Sequence, residues 1–490
     1  MLEKIDLKQS IAKEGYEVLF TEYANKLGAL QREITEAKIP VIVLLEGWRG
    51  SLRGTLLNTL LSTMDPRGFR VYSASKMQES AQEYPFFASF WKQLCPCGAF
   101  SFYHRSWYFL KLEHVAGDKK EKGDWFNVPY EHINAYEKQL TAGGYVIIKL
   151  FAHVSKKKQE SNLEKMNKIY GKDWQSMKPG AVEGDDYHNY LQAYEEMFVA
   201  TDTTNAPWHV LAAEDLRYAQ IEIFKILIAS LENALANQKI QQAEPELVVK
   251  PVIPNILQQY QPEQEVDKKE YGNKLKEYQK KLQVMQFELY KRKLATVLGF
   301  EGWDAGGKGG AIRRVTAALD PLGYAVNTVA APNLVEKQFH YLWRFWHNVP
   351  PNGEIAIFDR TWYGRVLVER VEGFAKPEEW RRAYQEINET EAQWAKQGII
   401  IFKFWMQISK EEQYARFKAR ENDPDKIWKI TEEDWRNREK WAAYEEAVNE
   451  MLFRTDTKYA PWTVVEANSK YYSRLKVLKT MVDRLEEILK

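Results

Sequence analysis

The tripeptide Glu46-Gly47-Trp48 returns as Glu301-Gly302-Trp303, 255 positions later. The same offset pairs Asp65-Pro66 with Asp320-Pro321, Gly68 with Gly323, Trp91 with Trp346 and Gly98 with Gly353. It also pairs Arg105, Trp107 and Tyr108 with Arg360, Trp362 and Tyr363. At an offset of 254, Gly144 meets Gly398, Lys149 meets Lys403, and Thr201-Asp202-Thr203 with Ala206-Pro207-Trp208 meets Thr455-Asp456-Thr457 with Ala460-Pro461-Trp462. Rare residues in register over more than 150 positions are not chance. Solenoid repeats run about 20 to 50 residues, so a period this long means duplicated domains.

Length agrees, because 490 residues exceed one ordinary core. Hydrophobic residues make up 45% and charged residues 28%, which suits a globular chain and is too apolar for a disordered one. With 69 Lys and Arg against 68 Asp and Glu, the net charge is +1, so a polyanion must be held by a local patch. No nucleic-acid partner is expected. Two cysteines cannot build a disulfide framework and point to a reducing compartment, hence a cytoplasmic location. Apolar runs such as Val41 to Leu45 and Ile399 to Ile401 are far short of a membrane span, and the opening Met-Leu-Glu-Lys-Ile-Asp has no secretory pattern. A secreted, membrane or collagenous protein is not expected.

The pattern thins from about Gln238 to Asp267, where Pro251, Pro254 and Pro262 stand among scattered Gln and Glu. We therefore expect a first domain over 1–237, a linker over 238–266 and a second domain over 267–490. Tyr271, Leu275, Tyr278, Leu282, Met285 and Leu289 form one apolar stripe at helical spacing. Short apolar runs follow at Ala295 to Phe300, Tyr324 to Val329, Glu354 to Phe358, Ile399 to Trp405 and Trp462 to Glu466, with helical patterns between them. Such alternation predicts an α/β fold with a parallel sheet, whose ligands bind at the carboxyl ends of the strands. The loops after Phe300 and Phe358 are the places to look.

The first of these loops reads Gly302-Trp303-Asp304-Ala305-Gly306-Gly307-Lys308-Gly309. Gly, four residues, Gly and Lys between a strand and a helix is the phosphate-loop spacing. Glycines let backbone amides converge on phosphate oxygens, the helix N-terminus adds partial positive charge, and Lys308 neutralises an oxygen. The hydroxyl residue expected after the lysine to hold Mg²⁺ is replaced by Gly309, so a metal would have to be placed by carboxylates. Asp304 is the nearest. The second loop supplies Asp359, at the end of its strand, where a Mg²⁺-holding aspartate belongs. Arg360 and Arg365 flank Thr361-Trp362-Tyr363-Gly364 and become candidates for phosphate contact.

Arg416 and Arg420 lie one helical turn apart, and Lys426, Trp428 and Lys429 follow Asn422-Asp423-Pro424. A basic segment ending in such a loop suits a lid closing over phosphates. An amphipathic helix with a basic outer face has the same spacing.

These strings, with Phe358-Asp359-Arg360-Thr361-Trp362-Tyr363-Gly364-Arg365 running on to Gly373-Phe374 and with Arg454-Thr455-Asp456-Thr457-Lys458-Tyr459-Ala460-Pro461-Trp462, resemble the polyphosphate kinase 2 family. The tandem arrangement resembles its fused, AMP-phosphorylating subclass. The resemblance implies two tandem P-loop, thymidylate-kinase-like domains, each a parallel sheet flanked by helices with a helical lid. It implies Mg²⁺-dependent transfer of a terminal phosphoryl group from inorganic polyphosphate to AMP, giving ADP. Asp304, Lys308, Asp359, Arg360 and Arg365 would carry the catalysis, with Asp304 and Asp359 holding the metal. Gly302, Gly306, Gly307, Gly309, Arg416, Arg420, Lys426 and Lys429 would bind the substrates. One stretch departs from the family pattern: Pro332 to Lys337 stands where a Pro-Thr pair and several glutamates are expected, which bears on nucleotide preference.

The duplication supplies its own control. Opposite Asp304 stands Arg49, opposite Gly306 and Gly307 stand Ser51 and Leu52, and opposite Lys308 stands Arg53. Opposite Asp359 stands His104, a poor Mg²⁺ ligand, and opposite Arg416 and Arg420 stand Asn162 and Met166. The first copy is therefore expected to be catalytically inert, packing as a pseudo-dimer partner, with further homo-oligomerisation left open. Apart from the mixed stretch Lys119-Lys120-Glu121-Lys122, its densest basic run is Lys156-Lys157-Lys158, which reads as a solvated face or as a guide for a polyanion, and Cys95-Pro96-Cys97 lacks the partners of a zinc site. Two other readings stay open on sequence alone: an ATP-dependent nucleoside monophosphate kinase on the same fold, and a non-catalytic polyphosphate- or nucleotide-binding protein.

Overall fold

The computed structural model describes every residue except 78, 117–123, 172–186, 241–251, 262 and 426. Contacts divide the chain into two compact units. The first comprises Met1–Gln82, Phe86–Leu247 and Leu334–His340; the second comprises Glu83–Pro85, Val248–Asn333 and Tyr341–Lys490.

Among the described residues, each unit holds one five-stranded sheet. The first contains β1 (Val41–Gly47), β2 (Phe69–Tyr72), β3 (Phe100–His104), β4 (Val146–His153) and β5 (Trp208–Ala212), ordered β2-β3-β1-β4-β5. The second contains β6 (Thr296–Gly302), β7 (Tyr324–Thr328), β8 (Ile355–Asp359), β9 (Ile400–Gln407) and β10 (Trp462–Glu466), ordered β7-β8-β6-β9-β10. Every pairing is parallel, and the two orders are the same. Central strands are buried along their whole length because helices cover both faces of such a sheet. The edge strand β7 stays half exposed.

Two strands run past the expected ends, to Gly302 and Gln407. Their polar tails remain in the ladder because their side chains find buried partners: Glu301 accepts from the N–H and Oγ1 of Thr361, and Gln407 Oε1 accepts from Trp303 and Trp405. The stripe from Tyr271 to Leu289 forms the helix Lys268–Lys291, started by Asp267, whose carboxylate accepts from the amides of Lys269 and Glu270. It packs on the helix Lys470–Leu489, as Lys13–Glu36 packs on Leu216–Ile240 in the first unit.

The residues shared by the two copies form the same buried polar network. In the second unit Lys403 Nζ reaches Glu391 Oε2 at 2.8 Å, Tyr363 Oη at 2.8 Å and the carbonyl of Thr455 at 2.7 Å. Lys149 makes the matching contacts with Glu137, Tyr108 and Thr201 at 2.9, 3.1 and 2.7 Å. In both copies the Glu also accepts from a tryptophan indole and the tyrosine hydroxyl. A buried ammonium and carboxylate are tolerable only when paired and hydrogen-bonded this fully, which explains why these residues recur together.

Candidate active site

Strand β6 delivers Gly302 at φ +149, where an added Cβ would stand 2.7 Å from the Met406 carbonyl oxygen. No side chain fits there. Ala305 takes a left-handed φ of +60, Gly307 caps the following helix (Lys308–Thr316) at φ +102, and the chain closes into a tight loop. The amides at the start of a helix have no partner within it, so the turn Lys308-Gly309-Gly310 presents donors to an anion. Gly309 has nothing within 4 Å of an added Cβ, so packing does not forbid the missing hydroxyl residue.

Lys308 Nζ donates to the carbonyls of Gly302 at 2.7 Å and Trp303 at 3.3 Å, at the mouth of the loop. Asp304 Oδ1 stands 3.4 Å from Arg360 Nη2, and its Oδ2 accepts from Asn437 Nδ2 at 3.0 Å. Arg360 is held at a left-handed φ of +66 with its N–H on the Phe300 carbonyl. Its counterpart Arg105 has φ +83, so this strained strand end belongs to the framework of both copies. Burial pushes the Glu301 carboxyl up, while Thr361 and the charges of Lys308 and Arg360 pull the other way.

One cavity of about 560 Å³ gathers these groups. Its wall includes Asp304 to Gly310, Asp359, Arg360 and Arg420, and opposite them the lid residues Thr431, Glu433, Asp434 and Asn437. The lid helix Glu432–Glu439 starts with a capping box between Thr431 and Asp434, which orients that wall. Behind the loop, Trp303 stacks on Trp441 with centroids 3.7 Å apart. A smaller pocket adjoins, lined by Trp303, Gly364, Leu367, Val368, Trp405 and Tyr444 among others.

Asp304, Gly306, Gly307, Lys308, Gly309, Asp359, Arg360 and Arg420 thus meet at one cavity, with Gly302 in the adjoining pocket. Two arginines depart from expectation. Arg365 is not on either wall: Nη1 pairs with Glu369 at 3.1 Å and stands 3.9 Å from Glu379, and its guanidinium lies over the Tyr341 ring. Arg416 is buried behind the loop, bonded to Glu412 and to three backbone carbonyls. Lys426 lies outside the described residues, and Lys429 is described only in its backbone, within the turn Ile427–Lys429. Sequence reasoning missed Asn437, Glu433 and Asp434, which carry no repeated motif; the Thr431-to-Asp434 capping spacing was the available signal.

The donor set suits Mg²⁺, which takes one or two carboxylates and leaves its other positions to water and substrate phosphates. Asp304 and Asp359 on one wall provide that number. Among the described residues there is no closed cage of three or more such ligands, which this ion does not require.

In the first copy the equivalent loop keeps the left-handed bends, at Gly47, Gly50 and Leu52, but carries other side chains. Leu52 takes the left-handed cap at φ +59, and Arg53 is buried with Nη1 3.6 Å from Glu46. Trp48 stacks on Tyr187 at 4.3 Å, matching the Trp303–Trp441 pair. Cys95 is buried against the Val41 carbonyl, its thiol pushed up to about 12 by burial.

Amides, an ammonium, guanidinia and two carboxylates around one cavity at a strand's carboxyl end are the means of phosphoryl transfer, and the sheet beneath them makes each copy a P-loop kinase fold. The polyphosphate kinase 2 family profile matches residues 10–239 and again 265–490, and the chain belongs to that family. It is 38% identical to the polyphosphate:AMP phosphotransferase of Pseudomonas aeruginosa, covering 100% of this chain and 99% of that one. The enzyme of the same name from Acinetobacter johnsonii is 35% identical over 93% of this chain and 92% of its own. A solved Pseudomonas aeruginosa structure described as a polyphosphate kinase 2 superposes with a TM-score of 0.87 at 37% identity, over 99% of each chain. No helix among the described residues is long and apolar enough to cross a membrane.

Proposed function

We propose that this chain transfers the terminal phosphoryl group of inorganic polyphosphate to AMP, releasing ADP and a polyphosphate shorter by one unit, and that the second copy does the chemistry. An AMP phosphate oxygen attacks the terminal phosphorus, and the bond from that phosphorus to the bridging oxygen breaks. The acceptor is already ionised at neutral pH, so no strong general base is needed. The observation that carries the reading is the single cavity joining the loop, Lys308, Asp304, Asp359, Arg360 and Arg420. Relatives matching 93% and 100% of the chain bear the same activity in their names.

Lys308, turned from the loop carbonyls onto a phosphate oxygen, would neutralise charge on the transferring group, and the free amides of residues 308–310 would orient it. Asp304 and Asp359 would hold Mg²⁺, which supplies charge neutralisation on the phosphate oxygens. Arg360 and Arg420 would fix donor and acceptor phosphates, and the lid from Thr431 to Asn437 would exclude water. Cys95 and Cys97 are free thiols, which suits a reducing cytoplasm.

The test is an assay of the purified chain with AMP, Mg²⁺ and polyphosphate, with no ATP present. ADP should form, and chelation should stop it. Turnover with ATP alone as donor would replace this reading with a nucleoside monophosphate kinase. No turnover with either donor would leave a binding protein.

A further inference from the structure

The guanidinium of Arg416 is 7% exposed and engaged on almost every side. Nε donates to Glu412 Oε1 at 2.6 Å, Nη1 to the Ala305 carbonyl at 2.7 Å, and Nη2 to the carbonyls of Ala467 and Asn468 at 2.6 and 2.8 Å. Guanidinium has five N–H groups, so a single one is left over, and the side chain is not on the cavity wall. We infer that Arg416 acts on the reaction through the shape of the loop and is a positioning residue, not a phosphate ligand. This rests on the loop at 302–310 being the phosphate loop.

Ala305 is the loop residue whose backbone most needs support, since a side chain at φ +60 is disfavoured. Arg416 grips its carbonyl. Three residues earlier on the same helix (Lys410–Glu421), Gln413 Nε2 donates to the preceding carbonyl, that of Asp304, at 3.1 Å. Two successive carbonyl oxygens are thereby drawn to the helix side. Left unheld, an acceptor oxygen turned toward the cavity would repel a phosphate chain.

The first copy separates the two explanations. Its equivalent loop residue, Gly50, is also left-handed at φ +78. The carbonyl of Gly50 accepts from the side chain of Asn162, the counterpart of Arg416, at 2.8 Å. Asn162 is 3% exposed and carries no charge. Arg49, Arg53 and His104 have replaced the phosphate- and metal-handling groups there, yet a buried donor to this one carbonyl remains. What persists across the duplication is the hydrogen bond, not the positive charge.

The experiment compares Arg416→Gln, which keeps a neutral donor, with Arg416→Ala in the full chain, varying polyphosphate at saturating AMP. A positioning role predicts a kcat at least about fivefold higher for Gln than for Ala, with KM for polyphosphate within about threefold of the parent in both. Equal kcat values, or a KM for polyphosphate raised about tenfold or more in both, would overturn it. Should either variant fail to fold, Glu412→Gln decides, because Glu412 is 31% exposed and its substitution is the milder one. Loosening the guanidinium should lower kcat about two- to fivefold with KM for polyphosphate unchanged. A lowered KM, as from a cation released toward the phosphates, or unchanged kinetics, would count against the inference. If the parent chain makes no ADP the functional reading fails; if it does and the variants behave as ligand losses, only this inference fails.

Discussion

Asn437 donates from the lid helix to Asp304 Oδ2 in the phosphate loop at 3.0 Å, while Arg360 approaches the other oxygen of that carboxylate at 3.4 Å. The proposed metal-holding group is therefore oriented from two sides, by the lid helix and by the end of β8. Asn437→Ala should lower kcat/KM for AMP about tenfold, the effect of roughly 1.4 kcal/mol. Asn437→Asp should cost more, because a second carboxylate would face Asp304. Steady-state kinetics check both, and a parent-like rate in the Asp variant would contradict the coupling.

Lys308→Ala should abolish ADP formation, whereas Arg53→Ala should leave the rate per folded molecule unchanged. The Arg53 variant still has a cost elsewhere. Glu46 is 2% exposed and raised by burial, with Arg53 opposing that rise. Removing the guanidinium should destabilise the first unit by about 2 kcal/mol, read as an earlier unfolding transition in calorimetry.

Truncating the buried lysine of either network leaves a carboxylate uncompensated. Lys149→Met should cost about 3 kcal/mol or more of stability without touching the chemistry, and Lys403→Met should cost about as much in the catalytic unit. Chemical denaturation followed by intrinsic fluorescence measures both. A Lys149 variant as stable as the parent would mean that the ion pair is replaceable.

Much of this was legible in the chain itself. The central strands could be read because each is a nearly continuous apolar run buried in a parallel sheet, and the phosphate loop because its glycines answer steric demands, as at Gly302 against Met406. Two of the arginines were not. Arg416 and Arg420 share one helical face, yet Arg420 lines the cavity while Arg416 is captured by carbonyls of a turn about fifty residues further on. Nothing in a local pattern announces that capture. Arg365 is held chiefly by Glu369, four residues on, with Glu379 of another helix farther off at 3.9 Å. Lys149 and Lys403 stood out in the repeat, but the glutamates that make them tolerable were found only through the structure.

His153 offers a pH signature. Its Nδ1 accepts from the Trp48 indole at 2.9 Å, and burial pulls its pKa down from the usual 6.5 to about 4. The folded form holds it neutral, while the unfolded chain takes up a proton below about 6.5. The stabilisation is thus full above about 6.5 and is lost as pH falls toward about 4, to the extent of roughly 3 kcal/mol. His153→Gln, copying Gln407, which accepts from Trp303 in the second copy, should flatten that part of the stability–pH curve. An unchanged slope would show that another group titrates.

The first copy keeps Glu46 on Ser106, Asn162 on Gly50 and Lys149 on Glu137. The two copies differ in a thin rim of loop side chains above the same foundation. On the proposed division of labour, Arg49, Ser51, Leu52, Arg53 and His104 change what the loop can hold without changing what holds the loop, so the scaffold of the first copy is independent of the chemistry of the second.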